Sequence, residues 1–127
     1  MRRIALAAAA AVVAATLLDD AVSPSRLSHA RSPLALAGAG AFSLLLLYLV
    51  PRARSLGMSL GAGVAAGGCL ATLVAGLAWR DGVPNPLVGG GIAFNVADVA
   101  IAGGDAMLIC AAMWQAWRRR AGLFEPV

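Results

Sequence analysis

Lysine is missing from this chain of 127 residues, and charged residues of every kind make up only 13% of it. An average soluble domain carries roughly 25% charged residues, so a water-soluble fold of this size would lack the polar surface to cover itself. The same shortage excludes disorder, which rests on polarity and net charge; here 61% of the residues are hydrophobic and the mean hydropathy is +0.83. The two cysteines, Cys69 and Cys110, lie inside apolar runs without C-x-x-C spacing. They form no disulfide framework or zinc motif and read as small core residues. His29, the single histidine, has no cysteine or carboxylate at metal-ligand spacing, and the Gly89–Gly91 run lacks the Lys and Ser/Thr of a phosphate loop. Neither a cofactor nor a metal is expected.

What the chain does have is arginine. All ten basic residues are Arg, for a formal charge of +4. They stand in short groups at the ends of apolar runs (Arg2 and Arg3, Arg52 and Arg54, Arg118 to Arg120), with no interleaved aromatics. That placement argues against a nucleic-acid partner and for membrane topology. Spans are expected over residues 3–22, 33–50, 56–79 and 92–117, an all-α membrane protein of four transmembrane helices in a single domain over 1–127, with small irregular external loops.

The first run is short for a span of about 20 residues and, behind Arg2-Arg3, also has the form of a signal peptide. Its end at Leu17-Leu18-Asp19-Asp20, without an A-x-A site, favours a retained span. Gly57, Gly61, Gly63, Gly67, Gly68 and Gly76 give the third span small-xxx-small spacings that let helices approach closely. The segment Arg80 to Gly91, with Pro84, Pro86 and four glycines, cannot be helix. Most arginines then fall on the side of the two termini, and only Arg26, Arg31 and Arg80 on the other, which makes the termini cytoplasmic. Trp114 and Trp117 suit the interfacial aromatic belt.

Asn95, Asp98 and Asp105 fall inside the fourth expected span. A carboxylate at mid-helix costs about 2.5–3.5 kcal/mol on insertion scales, so each needs a reason. At about 100° per residue, Asp98 and Asp105 are about 20° apart and Asn95 about 60° from Asp98, which puts all three on one helix face, directed at the bundle interior. Asp98 falls near the external surface, Asp105 near the middle of the bilayer.

The segment Phe94-Asn95-Val96-Ala97-Asp98-Val99-Ala100-Ile101 resembles the F-N-x-A-D-x-x-I signature of the lipoprotein signal peptidases (signal peptidase II), four-span aspartic endopeptidases of bacterial inner membranes. Leu18-Asp19-Asp20 is similar to the family's L-D-Q box, and Gly67-Gly68 stands where its glycine-rich segment begins. The resemblance implies that Asp98 is one of two catalytic aspartates, with Asn95 supporting it and Asp19 positioning substrate at the external interface. It also implies partners: membrane lipid and a prolipoprotein or lipopeptide.

The second aspartate of the family is absent. Asn85 or a neighbouring proline, within Gly82-Val83-Pro84-Asn85-Pro86, stands in its place, and Asp81, Asp19 and Asp20 are the other acids in reach of that face. Aspartic proteolysis needs two carboxylates sharing a proton, and losing one costs about 10²–10⁴-fold or more. Three functions follow as expectations. One is a divergent signal peptidase that cuts prolipoprotein signal peptides ahead of the lipidated Cys. Another is a non-catalytic homologue that binds lipoprotein or lipid in the envelope. The third is a small transporter or ion path using Asp98 and Asp105.

Overall fold

A computed structural model describes residues 1–23, 27–79 and 82–122. It contains four helices long and apolar enough to cross a membrane: α1 (Arg2–Val22), α2 (Pro33–Leu49), α3 (Leu56–Ala78) and α4 (Val96–Gly122). Their starts follow local chemistry. Ser32 caps α2 by accepting from the Ala35 N–H, with Pro33 at the first helical position, and Ser55 caps α3 by accepting from the Met58 N–H. A 3-10 turn (Val50–Ala53) joins α2 to α3 and closes on Arg54, whose left-handed φ of 53° reverses the chain.

α3 is the hub: it packs against all three other helices, which touch one another sparsely. Its core positions are nearly all small, with Ala62, Ala65, Ala66, Ala71 and Ala75 fully buried. In lipid no hydrophobic effect drives helices together, so close backbone approach and dispersion must hold the bundle. A Cβ at Gly63 would lie 2.4 Å from the Ala5 carbonyl oxygen and one at Gly67 2.8 Å from that of Ala9, both on α1. On another face, a Cβ at Gly68 would meet the Ala97 carbonyl oxygen of α4 at 2.6 Å, and α4 reciprocates with Gly104 against Ala65. The glycines of α3 therefore serve packing, as their spacing predicts. Ser43 adds a polar tie: its hydroxyl lies 2.7 Å from the Ala39 carbonyl oxygen and 3.3 Å from that of Ala66 across the α2–α3 contact.

The helices begin and end within a residue or two of the expected spans, except the last. Helix α4 starts at Val96, not 92, and continues to Gly122 rather than stopping at 117. Residues Ile92–Phe94 form strand β4, paired antiparallel with β3 (Leu87–Gly89). Gly90 and Gly91, at φ 59° and 80°, make the two-residue turn, the backbone that a type I′ hairpin demands. The loops are also more ordered than expected. Strand β1 (Ser28–His29) pairs with β2 (Val83–Pro84), tying the α1–α2 connection to the α3–α4 connection. The bond beside that bridge runs from the Asn85 N–H to the Leu27 carbonyl, so Pro84 is asked for no donor. Cys69 is buried as expected, but Cys110 is exposed on the outer face of α4, off the seam of Ala97, Gly104 and Leu108 that meets α3.

Candidate functional site

The loop end of the bundle gathers the polar residues singled out by the sequence. Asn95 is the residue before α4, and its side-chain oxygen accepts from the Asp98 N–H at 3.0 Å, while Asp98 Oδ2 accepts from the Asn95 N–H at 3.2 Å. This is a reciprocal capping box built from Asn and Asp. The Asn95 side chain, fully buried, uses its amide nitrogen to donate to the Pro84 carbonyl at 3.0 Å, fastening the β1–β2 bridge to the start of α4. The other Asp98 oxygen faces the Arg31 guanidinium at 3.7 Å, the side chains being 39% (Arg31) and 33% (Asp98) exposed. Arg31 comes from the residues just before α2, so the ion pair spans the mouth between α2 and α4.

Behind that pair lies a cleft of about 190 Å³, walled by Ala35, Leu36 and Ala39 of α2, Cys69 and Thr72 of α3, and Ile101 of α4. A pocket for a compact ligand measures roughly 300–1,000 Å³. The cleft is smaller than that, apolar along the helices and polar at Arg31 and Asp98.

The remaining predicted residues take separate places. Asn85 is buried, with its amide nitrogen 3.5 Å from His29 Nδ1 and its side-chain oxygen without a partner among the described residues. It does not touch Asp98. The two are linked through Pro84, whose carbonyl holds Asn95. Asp19 accepts from the hydroxyl of Ser23, the C-cap of its own helix, and Asp20 is buried with neither oxygen paired among the described residues. Asp105 sits half-buried beside the α3–α4 seam, so the acidic stripe of α4 flanks the packed face and does not enter it.

No second carboxylate pairs with Asp98 among the described residues; Asp81, together with Arg26 and Arg80, lies outside them. Sequence reasoning missed Arg31, counted only toward topology. It also missed the capping role of Asn95-x-x-Asp98, which the spacing of a short polar residue and an acid three positions on signals directly. Comparison with family models, with curated proteins and with solved structures finds no match to this chain.

Proposed function

We propose that this chain is a multi-pass protein of a bacterial inner membrane, with both termini cytoplasmic, that uses a signal-peptidase-II-like scaffold to hold a lipid-modified peptide or lipid without cutting it. The observation that carries the reading is the Arg31–Asp98 pair at the polar end of an apolar cleft between α2, α3 and α4. One guanidinium and one carboxylate side by side offer donors and acceptors to a peptide backbone or ester group. The carboxylate alone does not supply the acid and base that water attack on an amide requires. The cytoplasmic assignment rests on Arg2, Arg3, Arg52, Arg54 and Arg118 to Arg120 gathered at one end of the bundle.

One observation favours the peptidase reading in its place. The positions that the resemblance pairs, Asn85 and Asp98, are joined by a short path: Asn85 follows Pro84 in the chain, and Asn95 links the Pro84 carbonyl to Asp98 by hydrogen bonds. A single experiment separates the two. Purified protein in nanodiscs is mixed with a fluorescent diacylglyceryl peptide, and both binding and cutting are followed. The holding reading expects saturable binding with no cleavage. Arg31→Gln and Asp98→Asn then weaken binding tenfold or more, since a hydrogen bond to a charged group contributes about 1.5–3 kcal/mol. Cleavage by wild type that disappears in Asp98→Asn establishes the peptidase reading instead, and loss of neither binding nor cutting in the variants removes both. Asn85→Asp puts a carboxylate where the resemblance places the second acid; Asp98-dependent cutting by that variant alone would mark the chain as a peptidase scaffold with half its dyad replaced.

A further inference from the structure

The opposite end of the bundle carries a second, unrelated feature. Arg2 of α1 and Arg52 after α2 stand over the same ring, that of Tyr48, with guanidinium carbons 5.3 and 3.7 Å from its centroid. Arg3, Arg54 and Arg118 to Arg120 lie at the same end, and among the described residues the one ion pair, Arg31–Asp98, is at the other end. Asp19, Asp20 and Asp98 also belong to that other end, and Asp105 to the middle of α4, so no described carboxylate balances Arg2 and Arg52. Two guanidiniums gathered at one ring repel each other unless an anion lies near both.

The space beside them is a groove of about 500 Å³ between α1 and α2, lined by Arg2, Leu6, Leu44, Leu47 and Tyr48. α1 and α2 make little contact with each other, which leaves this groove open to the membrane. Leu6 and Leu44 each lie four residues, about 6 Å, further into the bundle than Arg2 and Tyr48 respectively. The groove thus runs from a cationic mouth at the interface to an apolar wall at hydrocarbon depth. Guanidinium matches a phosphate in fork geometry, and basic pockets between transmembrane helices are suited to phospholipid headgroups.

We infer that the α1–α2 groove binds an anionic phospholipid of the leaflet at the end of the chain termini. Its phosphodiester sits at Arg2 in the groove mouth, with Arg52, held by the Tyr48 carbonyl, adding positive charge beside it, and one acyl chain lies against Leu6, Leu44 and Leu47. Free phosphate would use the mouth and leave the apolar wall empty; a zwitterionic lipid would bring its own cation toward the arginine cluster. This site is independent of the α2/α3/α4 cleft and of the function proposed for it.

The test is native mass spectrometry of the full chain released from nanodiscs of equal phosphatidylglycerol and phosphatidylcholine. Wild type is expected to retain one phosphatidylglycerol in preference to phosphatidylcholine. Arg2→Gln removes a charge-assisted contact to the phosphate and lowers that retention about tenfold or more, and Arg52→Gln, beside the mouth, lowers it about fivefold, while Arg120→Gln, at the same end but away from the groove, lowers it less than either. Leu44→Trp fills the groove with the charges intact and also lowers retention, a result that does not depend on how well the arginine variants fold. Equal retention of the two lipids, an Arg120→Gln effect as large as that of Arg2→Gln, full retention in Leu44→Trp, or displacement of the lipid by inorganic phosphate would each overturn the inference.

Discussion

Replacing Asn95 by alanine removes two hydrogen bonds with different jobs, one part-buried and one buried, and their contributions can be separated. The side-chain oxygen caps α4 through the Asp98 N–H, and the side-chain nitrogen holds the Pro84 carbonyl. Loss of an N-cap costs about 1 kcal/mol, and a buried carbonyl left without its donor costs about 1–3 kcal/mol. Asn95→Ala should therefore destabilise the bundle by about 2–4 kcal/mol. Asn95→Ser keeps a capping oxygen but is too short to reach Pro84, so it should lose only the second part and remain about 1 kcal/mol more stable than Asn95→Ala. Reversible unfolding in mixed micelles, followed by far-UV circular dichroism, reads both differences. Hydrogen exchange of the 83–89 segment adds a local readout, faster in both variants because both free Pro84. If Asn95→Ala unfolds with wild type, or Asn95→Ser is no more stable than Asn95→Ala, the capping box does not hold the site and the reasoning fails.

Other perturbations address the packing and the turn. Gly63→Leu and Gly67→Leu drive side chains into the α1 backbone, where nothing flexible can give way, and should each lower stability by about 3 kcal/mol or more in the same unfolding assay. Gly103→Ala, in open space on α4, should instead gain about 0.5–1 kcal/mol from helix propensity. Gly90→Val forces a β-branched residue to φ 59° and should cost about 1–2 kcal/mol, while Gly90→Asn costs less, with faster amide exchange across 87–94 in the valine variant alone. Ser43→Ala removes one interhelical hydrogen bond and should cost about 0.6 kcal/mol. Asp98→Asn keeps a capping oxygen and loses only a partly exposed ion pair, so stability should change by less than about 1 kcal/mol, which makes it a clean probe of binding.

Hydropathy made the four spans legible, and the third span's glycines announced its close packing, because both signals are local. The boundary at Ile92 was misread for the same reason. Ile92, Ala93 and Phe94 satisfy an apolar window as well as any helix does, and only the Gly90-Gly91 turn and the Asn95 cap mark them as strand. The site was half legible. Asn95 and Asp98 are three residues apart and declare their relation in sequence, whereas Arg31 meets Asp98, and His29 meets Asn85, across long stretches of chain brought together by the β1–β2 bridge. Periodicity carries no information on such pairs. The exposure of Cys110 was likewise invisible, since an apolar run does not say which of its faces meets protein and which meets lipid.

The placement of α3 at the hub has a consequence for how the bundle is made. α1 and α2 precede α3 in the chain, yet each reserves its interhelical contacts chiefly for a segment that begins at Leu56. Until that segment is in place, α1 and α2 have little to bind them to each other. Assembly thus waits on the third helix: loss of α3 leaves α1 and α2 largely unpaired, while damage after α3 spares a three-helix core that Gly63 and Gly67 join to α1 and Ser43 and Leu36 of α2 join to α3.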